Sequence, residues 1–163
     1  KIICGGMPVG AYGGRADLMD YVSPSGPVYQ AGTLSGNPIA MSSGLAMLRY
    51  LDKHPEVYTE LERITAKICS GFANNLKELG LNYTINRIGS MCSLFFTDTK
   101  VTNFEEAKTS DTALFGKYFK GMLENGVYLA PSQYETLFIS TAITDSIADE
   151  IIAANKTVLS RLK

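Results

Sequence analysis

Residues 1–37 are rich in glycine, proline, serine and tyrosine and carry few apolar positions at a regular spacing, whereas residues 38–163 read as amphipathic helices divided by short strands. This contrast constrains the fold more than any other feature. A segment without periodic apolar positions cannot bury a face of its own. The opening therefore reads as the torn edge of a larger domain, and the chain as a piece of a longer protein. The rest has the pattern of a self-sufficient core.

From Asn37 onward the periodicities are explicit. Asn37 suits an N-cap and Pro38 the first helical position. Met41, Leu45, Leu48 and Leu51 recur at helical spacing, and Ala40, Gly44 and Met47 make the adjoining face small or apolar. This pattern predicts a helix buried on more than one side. A second helix is predicted over 55–79, striped by Val57, Leu61, Ile64, Ile68, Phe72, Leu76 and Leu79, with Gly80 as its stop. Strands are predicted over 82–88 and 91–96, separated by Gly89-Ser90. A third helix follows over 111–124, then short strands over 127–129 and 137–141. Thr144 caps a last helix with Ile147, Ile151, Ala154, Val158 and Leu162 on one face. The order from Leu79 on is strand, strand, helix, strand, strand, helix. It suits a small α+β layer with helices on one sheet face. The expected division is 1–53, the end of one domain, and 54–163, a small carboxy-terminal domain.

Composition narrows the function classes. With 163 residues, 45% hydrophobic and 19% charged, the chain is ordinary for a globular protein. A net charge of −1 gives no electrostatic footprint for nucleic acid or an anionic membrane. No apolar run approaches the roughly 20 residues that span a bilayer. Cys4, Cys69 and Cys92 are sparse and odd in number, which points to reduced thiols in a cytoplasmic setting. His54 is the single histidine, so neither a histidine triad nor a multi-histidine metal site is expected. Beside Pro55, it reads as a residue leading into a helix.

Two segments are candidates for chemistry. Residues 5–14 hold five glycines in ten positions. They could cradle a phosphate by close backbone approach, or form a tight strand-turn-strand run. The P-loop, dinucleotide and nucleophile-elbow patterns are all missing. Residues 26–38, Gly-Pro-Val-Tyr-Gln-Ala-Gly-Thr-Leu-Ser-Gly-Asn-Pro, end at a helix N-terminus. Backbone N–H groups and the hydroxyls of Thr33 and Ser35 suit an anion there. A plain capped loop is the alternative.

These segments resemble a known family. Lys1-Ile2-Ile3-Cys4-Gly5-Gly6-Met7-Pro8-Val9-Gly10-Ala11-Tyr12-Gly13-Gly14, residues 26–38, and Gly126-Val127-Tyr128-Leu129-Ala130-Pro131-Ser132-Gln133-Tyr134-Glu135 followed by Leu137-Phe138-Ile139-Ser140 are similar, in order, to class III aminotransferases. The likeness is strongest to the aminomutase branch and covers nearly the whole chain. The implied fold is α/β, that of fold-type-I pyridoxal-phosphate transferases: the end of the large domain plus the small α+β domain.

The resemblance also implies roles. Lys1 would form the internal Schiff base with pyridoxal 5'-phosphate and then move protons as an acid and base. Taken without its motif, Lys1 is a solvated charge. Gly32 and Thr33 would hold the cofactor phosphate of a neighbouring subunit in a homodimer. Glu135 would hold substrate amino groups, or else is an exposed loop glutamate. Tyr29 would line the pocket. Cys4 stands where many members have a third glycine, and Ile143 where a histidine is common. Cys4 is read as a small space-filling residue, with no base beside it to make a nucleophile.

The implied activity is an isomerase's. An amino group moves between adjacent carbons of one amino aldehyde to give 5-aminolevulinate, with the pyridoxamine 5'-phosphate form in the cycle. Porphyrin synthesis is the implied pathway and glutamyl-tRNA reductase the implied partner. The alternatives are a class III ω-aminotransferase using an oxo-acid acceptor, a non-catalytic fragment serving as a dimerisation module, and a nucleotide-binding protein. The last is weakened by its missing motifs.

Overall fold

The computed structural model describes residues 2–163. They fall into two compact units, one ending at Pro55 and the other spanning Glu56–Lys163.

In the first unit, regular structure is limited to α1 (Ala16–Met19) and α2 (Pro38–Lys53). The cap of α2 forms as its sequence dictates: Asn37 Oδ1 accepts from the N–H groups of Ile39 and Ala40 at 3.0 and 3.2 Å. The burial expected for this helix is not met. Ala40 and Gly44 are buried, but Met41, Leu45 and Leu48 are 45%, 50% and 51% exposed. The segment around Cys4 covers only the Ala40–Gly44 face, so the apolar stripe beside it stays open within this unit. His54 is the C-cap of α2 rather than the start of the next helix, and its ring stacks on Tyr50 with centroids 4.3 Å apart.

The second unit contains α3 (Glu56–Leu79), β1 (Thr84–Ile88), β2 (Met91–Phe95), α4 (Phe104–Ala107), α5 (Thr112–Glu124), β3 (Leu137–Phe138) and α6 (Asp145–Leu162). Gly80, at φ +66°, takes the left-handed conformation that ends α3. Asp111 caps α5 through the N–H of Leu114, and Thr144 caps α6 through that of Ile147. The sheet is antiparallel in the order β1-β2-β3. Successive side chains alternate faces, so Cys92 and Leu94 of β2, with Phe96 just beyond it, enter the core with Ile64, Ile68, Phe72 and Leu76 of α3. Tyr118 and Met122 of α5 and Val158 and Leu159 of α6 close the same core. The opposite face is open, with Ile88 and Phe138 both exposed and each paired in register with Met91. This is the expected layer of helices on one sheet face.

The differences lie at short elements. Residues 127–129 form no strand, because Leu129 buries its side chain without a partner strand alongside. The strand expected over 137–141 is two residues long. The four-residue helices α1 and α4 carry too little periodicity to be read in advance. On α6 the buried set includes Ala148, Asn155 and Leu159 beside the expected Ala154 and Val158, while Ile147 stays 37% exposed.

Cys69 of α3 and Cys92 of β2 are neighbours in the core, and all three cysteines are free and buried. The neighbouring Cys69 thiol, together with burial, pushes Cys92 far above the ordinary thiol range. Among the described residues, no helix is long and apolar enough to cross a membrane.

Candidate cofactor site

Lys1 lies outside the described residues. The segment after it turns at once. Gly5 and Gly6 have φ of +61° and +93°, a conformation that disfavours any side chain. The segment is pinned to α2 at Cys4. Ser43 Oγ donates to the Cys4 carbonyl at 2.8 Å, the Cys4 thiol donates to the Met7 carbonyl, and a Cβ at Gly44 would touch Cys4 Cβ at 3.5 Å. Cys4 is fully buried and fills space, as its size suggests. Residues 2–6 are consecutive turns rather than strands, so the strand-turn-strand alternative does not form.

The structure brings two of the sequence segments together. Pro8, Val9 and Gly10 face Gly32, Thr33, Leu34, Ser35 and Gly36 across a hollow of about 440 Å³ in the first unit, with Met41 at its edge. Residues 32–37 form successive turns: Ser35 N–H donates to the Gly32 carbonyl at 2.9 Å, and Asn37 N–H to that of Leu34 at 3.1 Å. A Cβ on Gly32 would sit 2.9 Å from Ser35 Oγ, so a side chain there would require the Ser35 hydroxyl to turn away. Among the described residues, the N–H groups of Gly32 and Thr33 have no backbone acceptor. Thr33 is among the residues that line the hollow.

That donor set fits a phosphate group, which asks for converging N–H and O–H donors. The helix terminus itself is not part of it, because the first donors of α2 are taken by Asn37. The N–H groups left without a backbone acceptor are those of the turn. Tyr29 is 82% exposed and does not line this hollow.

Glu135 belongs to the second unit. It lies in a tight turn where its N–H donates to the Ser132 carbonyl and its Oε2 accepts from the Ser132 N–H, both at 3.1 Å. Its side chain borders a small hollow with Gln133, Ala130, Ser93 and Leu137. Gln133 was not foreseen. It is 3% exposed, and its amide bonds the backbone of β2 at Leu94 and just beyond it at Phe96. A glutamine between a proline and a glutamate gives no sign in sequence that it will be buried. Among the described residues no group of three or more histidine, cysteine, aspartate or glutamate side chains is placed to hold a metal.

Comparison with known proteins accounts for this arrangement. A family model described as Aminotransferase class-III matches residues 1–159. A glutamate-1-semialdehyde 2,1-aminomutase of Cytophaga hutchinsonii is 60% identical over 157 residues, which cover 95% of this chain and 36% of that protein. The enzyme of the same name from Pelodictyon phaeoclathratiforme is 54% identical over 160 residues, covering 98% of this chain and 37% of its own length. The chain thus spans little more than a third of the curated relatives it matches. A solved structure described as a transaminase with PLP bound superposes with a TM-score of 0.82 at 27% identity, over 99% of this chain and 37% of that one. With a family match along nearly its whole length and the same fold, the chain belongs to the class III aminotransferases.

Proposed function

We propose that this chain is the carboxy-terminal portion of a glutamate-1-semialdehyde 2,1-aminomutase, an isomerase that forms 5-aminolevulinate for porphyrin synthesis. The single observation that carries the reading is 60% identity, over 95% of the chain, to a relative of that name. Residues 1–53 are then the end of the large cofactor-binding domain and 54–163 the small domain.

When bound, pyridoxal 5'-phosphate, alternating with its pyridoxamine form, supplies the carbonyl that accepts and returns nitrogen and the ring that withdraws electrons. The protein holds and orients. Lys1 Nζ would be the covalent attachment point of that carbonyl, and once free it would carry protons between cofactor and substrate carbons. Such work suits an amine whose charge is weakened by burial. The Gly32 and Thr33 N–H groups and the Thr33 hydroxyl bind the phosphate. In a homodimer this phosphate belongs to the partner subunit's cofactor. Glu135 holds a substrate ammonium group by charge and hydrogen bonding. Tyr29, exposed here, lines the pocket once the rest of the protein covers it. The small-molecule substrate needs no external amino donor. A cytoplasmic location and an association with glutamyl-tRNA reductase belong to the same reading.

The test is product formation by the full-length protein, supplied with glutamate-1-semialdehyde, with and without an oxo acid. Formation of 5-aminolevulinate without an oxo acid supports the aminomutase. An absolute need for an oxo acid would assign the chain to the ω-aminotransferases instead.

A further inference from the structure

We propose that Gln133 is the positioning residue for Glu135, holding its turn against β2 in place of a missing strand. The inference rests on Glu135 being the substrate-binding carboxylate.

Pairing between β2 and β3 is short: Met91 faces Phe138 and Cys92 faces Leu137. Extending that register would place Glu135 opposite Leu94 and Gln133 opposite Phe96. The backbone does not follow. At residues 132–135 it leaves the sheet in a turn closed by the Glu135 N–H on the Ser132 carbonyl and the Tyr134 N–H on Ser132 Oγ at 3.2 Å.

That departure would strand the edge of β2, and buried unpaired backbone groups are costly. Gln133 meets both needs with one side chain. Its Nε2 donates to the Leu94 carbonyl at 2.9 Å, and its Oε1 accepts from the Phe96 N–H at 3.1 Å. A side-chain amide thus bonds a carbonyl and an N–H two residues apart at the end of β2, as the peptide groups of a residue on a parallel neighbouring strand would, and so satisfies part of the edge that the departing chain leaves. Two bonds from one buried amide fix both height and orientation of the turn, two residues before the Glu135 carboxylate. Had the strand continued instead, Glu135 would be a ladder residue opposite Leu94. The arrangement therefore releases Glu135 from the sheet while keeping it registered to the sheet.

The experiment is a double-mutant cycle in the full-length, cofactor-loaded protein. Gln133→Met removes both bonds with little change of volume, and E135Q removes the carboxylate. Misplacing a reacting or binding group by about 1 Å can cost up to about a hundredfold. Q133M is expected to lower kcat about tenfold or more while thermal unfolding stays cooperative. In the E135Q background the same substitution is expected to change kcat less than about twofold, because residues acting through one another are not additive. Equal losses in both backgrounds would mean a general structural role and would overturn the inference. So would a Q133M enzyme as fast as wild type beside a slowed E135Q. If E135Q itself turns over normally, the reading of Glu135 fails and the inference falls with it. Should Q133M not fold, Q133E, which keeps the acceptor for Phe96, is measured in the same cycle with the same expected non-additivity.

Discussion

Asn75 of α3 donates to Asn155 Oδ1 of α6 at 2.9 Å inside the packed face between the two helices, where both side chains are buried. Asn155 passes the chain of bonds on to Tyr118 OH of α5 at 2.8 Å, and Asn75 also reaches the Ile152 carbonyl. Three helices are registered by one polar link in an otherwise apolar core. Burial pushes the Tyr118 phenol well above its ordinary range, so it stays neutral and able to share in the link. Asn155→Ala should leave the Tyr118 hydroxyl and one Asn75 bond unsatisfied and destabilise the fold by about 2–3 kcal/mol. Urea denaturation checks this. A loss below about 0.5 kcal/mol would show the link to be dispensable.

Asp145, in the first turn of α6, is held by Arg63 and Lys67 of α3. Hydrogen bonds from Arg63 first and Lys67 second keep its carboxyl far below the ordinary carboxylate range. A group with a depressed folded-state pKa adds stability that is present above its unfolded value, about 4, and is lost as pH falls through the folded value. Wild type should therefore exceed Asp145→Asn in urea midpoint at neutral pH. The gap should close as pH is lowered below about 4 and shrink in 1 M salt. A gap that is constant with pH would contradict the assignment.

Cys92, buried in the core, should resist alkylation. The thiolate is the reactive form, and Cys92 is pushed away from it by its neighbour and by burial. Mass spectrometry after native labelling with iodoacetamide should find Cys92 unmodified, and labelling in urea should modify it. Fast native labelling of Cys92 would contradict the packing of β2 on α3.

Thr33→Ala should weaken cofactor binding about tenfold or more, since a hydrogen bond to a charged group is worth about 1.5–3 kcal/mol. The readout is the dissociation constant of pyridoxal 5'-phosphate in the full-length dimer. An unchanged constant would remove Thr33 from the phosphate site.

Much of the second unit was legible because its signals are local and repeated. The stripe from Ile64 to Leu76 and the cap at Thr144 are local signals of helices, whereas Asp111, read as the first residue of its helix, is its N-cap. What failed depended on partners distant in sequence. Whether residues 127–129 become a strand depends on a free sheet edge, and whether β3 runs on depends on Gln133 taking the edge first. The stripe of α2 was readable as apolar, but its cover is not in this unit, so Met41, Leu45 and Leu48 stand exposed. The segment holding Gly32 and Thr33 was legible as a candidate anion site from its loop entering a helix and its hydroxyls, with a plain capped loop as the alternative. The family resemblance then favoured the anion reading. The segment's geometry shifted the donors from the helix terminus to the turn.

The role proposed for Lys1 is to carry the cofactor. Borohydride reduction of the full-length protein as purified with pyridoxal 5'-phosphate, followed by proteolysis and mass spectrometry, tests it directly. The expected result is a pyridoxyl group fixed on the peptide containing Lys1 and absent from the other lysines. A label fixed on another lysine, or none at all, would contradict the account.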